Sequence, residues 1–183
     1  MDVTASGLPE PTARLLDLDE YADATAGEIT RLAEQLVRDA TPLIGYANHP
    51  VGPHLGQLLD AASCTLVSAA ANGRDRRTVT VADPAAATQT LLAAINRSPQ
   101  TSTALVQLLR QTANLPALDG LAAEAATYSM LLAGREFRGW LDGRSTPKPA
   151  TPTGRPLVTL DRTADTLRVT LDRPERRNAL SFA

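Results

Sequence analysis

The chain has little of the chemistry that marks extracellular or metal-binding proteins. Its 183 residues include one cysteine, Cys64, and two histidines, His49 and His54. A single cysteine excludes an intrachain disulfide and is consistent with a reducing compartment. The two histidines are five positions apart across two prolines and a glycine, which is not the spacing of a metal pair on one helical face. We therefore expect no metal site.

Long apolar runs and strong charge are also missing. No apolar stretch approaches the roughly 18 residues that span a bilayer, and Met1-Asp2-Val3-Thr4 lacks the charge and apolar run of a signal peptide. The formal net charge is −2, and Lys148 is the only lysine. Such a balance gives no reason to expect nucleic acid as a partner. We expect a cytoplasmic protein that binds neither nucleic acid nor a membrane.

Proline, by contrast, is abundant and divides the chain. Residues 1–18 contain Pro9 and Pro11 and no sustained period, which predicts a flexible arm. Residues 144–156 contain four prolines among serine, threonine and glycine, which is typical of a stiff linker. Between them, residues 19–143 are predicted to form a helical domain, and residues 157–183 follow the linker.

The region 19–143 has the periodicity of about five to six helices. Start signals such as Asp83-Pro84 and Ser98-Pro99 each combine a side-chain acceptor with proline at the first helical position. We predict loops over 42–54 and 72–81, a buried structural role for Cys64, and an anchoring role for Trp140. The predicted fold is mainly α: a helical bundle, then the proline-rich linker, then a β-hairpin. The predicted helices are 19–40, 53–71, 84–97, 100–114, 117–133 and a short one around 137–141.

The last part of the chain carries the most specific motif. Leu157–Leu160 and Leu167–Leu171 are β-prone runs with a hairpin signature between them. The second run leads into Asp172-Arg-Pro-Glu-Arg-Arg-Asn-Ala-Leu-Ser181. Strand and loop together resemble the first strand and loop of the crotonase superfamily, the enoyl-CoA hydratases and isomerases. The resemblance implies that the hairpin begins a crotonase α/β spiral, of which residues 157–183 are an incomplete start.

The resemblance also implies a chemistry. Crotonases stabilise the thioester enolate of an acyl-CoA with two backbone N–H donors, and preorganised donors of this kind are usually the largest catalytic contribution. In the family these donors and the acid/base glutamates follow the opening strand at a distance, so we assign no catalytic residue here. The loop would line the CoA cleft, with Arg173 also suited to phosphate, and the predicted CoA-binding residues are Arg176, Arg177, Ala179 and Leu180. No cofactor is expected besides the CoA thioester substrate.

Other interpretations remain open at this point. A helical extension of about 150 residues precedes the motif, and its stretch Ala122–Phe137 resembles what precedes the domain in extended members of the superfamily. Among these is a cofactor-independent dioxygenase branch acting on an arylacetyl-CoA. The chain could instead be a non-enzymatic oligomerisation or capping module for an acyl-CoA enzyme, or an independent helical ligand-binding domain with a fortuitous tail. As partners we expect a second copy of the chain, or a second chain that supplies the catalytic part.

Overall fold

The computed structural model of the chain describes residues 2–4, 7, 9–71, 75–144, 156–174 and 178. The chain divides into two compact units, Met1–Gly143 and Arg144–Ala183. The first unit is mixed α/β and contains a parallel sheet, and the second contains an antiparallel hairpin. The expected mainly α bundle is therefore wrong.

A four-stranded parallel sheet organises the first unit. Before it, two short strands, β1 (Asp2–Val3) and β2 (Pro9–Glu10), form an antiparallel pair. The parallel strands are neighbours in the sheet in the same order as in the chain, and the two central ones are the most buried. They are β3 (Arg14–Asp17), β4 (Leu43–Ala47), β5 (Cys64–Ser68) and β6 (Thr78–Val81).

Helices connect the first three parallel strands and then follow the last one. The first, α1 (Ala26–Val37), begins with a capping box in which Thr25 and Glu28 satisfy each other's backbone N–H groups. The next, α2 (Gly56–Ala61), is preceded by a 3₁₀ turn over Pro53–Leu55. After β6 come α3 (Pro84–Arg97), α4 (Pro99–Thr112), α5 (Ala117–Leu132) and α6 (Arg135–Asp142).

The sheet is covered on both faces. Successive residues of a strand point to opposite faces, so Leu43 and Ala47 share one face of β4 and Ile44 lies on the other. The main core cluster joins Leu43, Ala47 and Val67 to Ile29 of α1 and Leu58 of α2. Buried Ile44 is not part of that cluster, and α3 contacts β4 and β5. The helices α1 and α2 thus cover one face and α3 the other.

Helix α4 is tied to the ends of α1 and α2 by side-chain hydrogen bonds. Arg110 donates to the carbonyl oxygens of Asp39, at 2.8 Å, and of Ala61, at 3.3 Å. Gln107 donates to the carbonyl oxygen of Ala40 at 3.0 Å. Ala61 is the last residue of α2, and the last carbonyls of a helix have no partner inside the helix. Asp39 lies two residues beyond the end of α1, so Arg110 ties α4 to the chain at the ends of both helices.

Helices α5 and α6 are attached more lightly. None of the residues of α5, all of which are described, is buried. Glu136 of α6 accepts hydrogen bonds from the backbone N–H groups of Gln100 and Thr101, at 2.8 and 2.9 Å, and so caps the N-terminus of α4. Among the described residues, no helix is long and apolar enough to cross a bilayer.

The second unit contains a hairpin of β7 (Val158–Thr163) and β8 (Thr166–Leu171), which are paired antiparallel along their length. Its two-residue turn places Ala164 at φ 51°. The predicted hairpin is present, and each strand extends further into the turn than its apolar run suggested.

The sequence prediction missed every strand of the parallel sheet. β3 lies in the segment expected to be a flexible arm, β4 in the expected loop 42–54, and β6 in the expected loop 72–81. The expected helix 53–71 contains only six α-helical residues, and then β5. Buried parallel strands are short continuous apolar runs without alternation, and such runs cannot be told from helix segments by periodicity.

Candidate functional site

The loop after β8, which carries the crotonase-like motif, is closed by its asparagine. The backbone N–H of Arg173 donates to Oδ1 of Asn178 at 2.8 Å, and the backbone N–H of Asn178 donates to the carbonyl oxygen of Arg173 at 2.9 Å. Asn178 has φ 57°, a left-handed conformation that asparagine tolerates better than most residues. The motif's asparagine therefore both closes the loop and adopts the backbone conformation that closure needs.

The loop leaves the hairpin at a fixed position. The backbone N–H of Asp172 donates to the carbonyl oxygen of Leu157 at 2.8 Å, which adds one hydrogen bond beyond the paired strands. Of the motif's three arginines, Arg173 lies at the closed neck of this loop. The predicted CoA-binding residues Arg176, Arg177, Ala179 and Leu180 lie outside the described residues.

The hairpin beneath the loop has one apolar and one polar face. The pairs Val158 with Leu171 and Leu160 with Val169 lie on one face, while Asp161 opposes Arg168 on the other. The apolar side chains are exposed, with Leu160 at 67%. In natural sheets one face is normally packed on a core, so this face has the character of a surface that another layer covers.

A second group of polar residues lies at the carboxyl edge of the parallel sheet. Asp19 follows β3 and accepts backbone N–H groups from Asn48 and His49, at 2.9 and 3.2 Å, just after β4. Its carboxylate is also 3.2 Å from Nδ1 of His49. Burial raises the pKa of Asp19, but the hydrogen bonds from Asn48 and His49 outweigh burial and hold the pKa below its usual range.

This edge borders an open cavity of about 280 Å³ lined in part by Asp19, His49 and His54. Ligands of parallel α/β sheets commonly bind at the carboxyl ends of the strands. Asp19 can hold His49 in one tautomer, as carboxylates do for catalytic histidines, but the His49 side chain is 80% exposed. Among the described residues, no group of three or more histidine, cysteine or acidic side chains could hold a metal ion.

Arg77, in the loop before β6, has a structural role. Its guanidinium donates to the carboxylates of Asp75 and Asp60, at 2.6 and 2.8 Å, and to the carbonyl oxygen of Gly56 at 3.0 Å. These contacts raise the pKa of Arg77, and the Arg77 hydrogen bonds lower the pKa of Asp75 to about 2. Arg77 therefore joins the start of β6 to α2, and its donors are used within the protein.

The environments of Cys64 and Trp140, two residues named in the sequence analysis, do not single them out for a chemical role. Cys64 is half-buried in β5, where burial raises the pKa of its thiol; a raised pKa lowers thiolate content and hence reactivity. Trp140 stacks on Phe137, with ring centroids 5.5 Å apart, beside a cavity of about 350 Å³ that also borders Tyr128 and Glu136. Trp140 is 54% exposed, so it does not bury itself as the expected anchor would.

Comparison with protein-family models, with curated proteins and with solved structures gives no match to this chain. Sequence reasoning missed the pair Asp19 and His49, which are 30 positions apart. Their proximity follows only from the parallel pairing of β3 with β4, and neither strand was predicted.

Proposed function

We propose that this chain supplies the first part of a crotonase-like acyl-CoA enzyme, a member of the enoyl-CoA hydratase/isomerase family whose catalytic groups lie on polypeptide outside these residues. The substrate is a CoA thioester. The observation that carries the proposal is the loop of residues 172–178, in which Asn178 of the crotonase-like motif closes the turn that follows an edge-to-edge paired hairpin.

The chemistry of this loop supports CoA as the ligand. The motif carries Arg173, Arg176 and Arg177 close together in the sequence, and guanidinium groups bind phosphate oxygens in bidentate fashion. In this proposal Arg176 and Arg177 bind CoA phosphates, and Ala179 and Leu180 contact the nucleotide end. The exposed apolar face of the hairpin supports a further layer of protein beside it, because an isolated two-stranded hairpin is marginal in water.

In this proposal, substrate binding and catalysis are divided between this chain and the polypeptide that completes the domain. This chain contributes to binding CoA, and the oxyanion donors and acid/base groups come from the polypeptide that completes the domain. The chain alone then has no turnover. Hydration of crotonyl-CoA by the purified chain would contradict this division.

The test begins with the DNA that follows the codon for Ala183. We expect a coding continuation, in frame or shifted, with a glycine-rich oxyanion segment. The continuous protein is then assayed for CoA binding by calorimetry, with Arg177→Gln as the test variant and Arg168→Gln, on the polar face of the hairpin, as the matched control. The expected result is weaker CoA binding, by about tenfold, for Arg177→Gln only, since one charge-assisted phosphate contact contributes roughly that much. Equal affinity in both variants would contradict the assignment of the loop.

A further inference from the structure

Helix α5 contacts α4 along one line of less exposed positions, and it also contacts α6. Its less exposed residues recur every three or four positions: Gly120, Ala123, Thr127 and Leu131. A Cβ added at Gly120 would lie 3.7 Å from Cγ2 of Thr112, the last residue of α4. This line therefore faces α4. Elsewhere on the helix, Tyr128 and Leu132 border the open cavity beside Trp140.

The opposite side of α5 carries a larger apolar stripe. At 100° per residue its seven positions fall within an arc of about 120°, centred opposite the α4 contact. Leu118 is 80% exposed, Leu121 60% and Tyr128 64%. The polar member, Ser129, donates its hydroxyl to the carbonyl oxygen of Ala125 at 2.8 Å, so it can be covered without losing a partner. The stripe consists of Leu118, Leu121, Ala122, Ala125, Tyr128, Ser129 and Leu132.

The stripe is symmetric about Ala125. In an antiparallel pair of α5 helices with Ala125 on a twofold axis, each position of the stripe faces another position of the same stripe. Leu118 faces Leu132, and the large Tyr128 faces the small Ala122. Alanine at the axis allows the two backbones to approach closely. A twofold interface requires one patch that is complementary to itself, and this stripe meets the requirement.

The distribution of charge on α5 also favours a second copy of this helix as the partner of the stripe. The charged residues of α5 are Asp119 and Glu124, and at 100° per residue both fall outside the stripe. The helix has no lysine or arginine, although surface helices that bind lipid are usually rich in them on their polar face. An uncharged stripe on a helix without basic residues suits another apolar helix better than a membrane surface.

We propose that the α5 stripe is the interface of a twofold dimer, in which α5 of one copy packs antiparallel against α5 of a second copy with Ala125 at the axis. The inference rests on α5 alone and stands whether or not the chain binds CoA. Tyr128 of each copy packs over Ala122 of the other, and Leu118 and Leu132 close the ends of the interface.

Sedimentation equilibrium of the full chain tests the surface. The wild-type chain is expected to dimerise, and Leu118→Glu to raise the dimer dissociation constant at least about tenfold, because it places an unpaired carboxylate in an apolar contact. Met130→Glu is the matched control, since Met130 is 60% exposed but lies outside the stripe. Far-UV circular dichroism verifies that both variants remain folded. A monomeric wild-type chain, or equal weakening by both variants, would overturn the proposal.

Disulfide trapping tests the axis in a background without Cys64. With helix axes about 8 to 10 Å apart and a Cα radius near 2.3 Å, Cα atoms at the axis lie about 3.5 to 5.5 Å apart, which overlaps the range that a disulfide spans. Ala125→Cys is therefore expected to form a covalent dimer under mild oxidation, while Ala126→Cys, an exposed neighbour off the stripe, is not. Equal cross-linking at the two positions, or none at Ala125→Cys in a dimeric chain, would refute the twofold arrangement.

Discussion

Gly45 lies at the one point of β4 where the sheet has no room for a side chain. A Cβ there would be 2.9 Å from Oγ1 of Thr65 and 3.3 Å from its Cγ2, on the neighbouring strand β5. Thr65 is buried at 1% exposure and cannot move outward. We expect Gly45→Ala to lower the free energy of unfolding by about 1 to 3 kcal/mol, the usual cost of overpacking, measured by urea denaturation.

The control for this prediction is the same substitution where space is open. Gly27 lies in the first turn of α1, and no described atom comes within 4 Å of a Cβ built there, outside its own chain neighbours and helix backbone. Gly27→Ala should therefore raise the free energy of unfolding by about 0.5 to 1 kcal/mol, because alanine loses less backbone freedom on folding. Equal losses at Gly27 and Gly45 would indicate that steric contact with Thr65 is not the cause.

Because of Asp75, the stability of the first unit depends on pH in the acid range. Its hydrogen bonds with Arg77 lower its pKa from 3.8 to about 2 in the folded chain. A folded pKa below the unfolded value means that the contribution to stability is complete above about pH 4 and is lost as the pH falls toward 2. We expect the Asp75 carboxyl to titrate near pH 2 by NMR, and near its ordinary value in Arg77→Met. Identical titration in the two proteins would exclude Arg77 as the cause.

At the scale of elements, Arg110 is the residue that holds α4 against two helix ends. Its hydrogen bonds to the carbonyl oxygens of Asp39 and Ala61 are charge-assisted and partly buried. Arg110→Met keeps much of the aliphatic stem but leaves both carbonyls without these donors. We expect a loss of about 2 to 3 kcal/mol in the free energy of unfolding, by urea denaturation. Arg97→Met, an exposed arginine at the end of α3, is the control and should change it by less than about 0.5 kcal/mol.

Some helices of this chain could be predicted from local sequence signals, whereas its parallel strands could not. α3 and α4 begin within one residue of their predicted starts, because the proline at the first helical position is a local signal. β4 has no such signal: Leu43–Ala47 is a short apolar run between Pro42 and Pro50. It becomes a strand because β3 and β5 hydrogen-bond to it on either side, and that information is not local.

The candidate sites also differ in whether local sequence information could indicate them. The hydrogen bond between Arg173 and Asn178 joins residues five positions apart, which is within the range of a local sequence motif. The contact of Asp19 with His49 depends on the sheet, so no local pattern could indicate it. Periodicity predicts the helix 117–133, but it shows only that the residues of the α5 stripe share a face. It could not show that this face points away from α4.

At the scale of the whole molecule, both units expose an apolar face: the α5 stripe in the first, and the β7–β8 face in the second. Apolar patches of this kind are uncommon on monomeric proteins and usually mark interaction surfaces. The formal net charge of −2 gives little electrostatic repulsion between copies. The chain should therefore associate more readily than its size and composition alone would suggest.

Substitutions in the strands of the hairpin test whether its apolar face is an exposed interaction surface, and they leave the turn unchanged. Leu160 faces Val169 on the apolar side, and Asp161 faces Arg168 on the polar side. Replacing both members of the first pair with threonine keeps β-propensity and removes apolar surface. We expect this double variant to bind less of an apolar dye such as ANS, with the free energy of unfolding changed by less than about 0.5 kcal/mol per exposed site. The same replacement of the polar pair should not reduce dye binding. A loss of about 2 kcal/mol or more in the apolar-pair variant would mean that the face is buried in the folded chain, which would contradict its role as an open interaction surface.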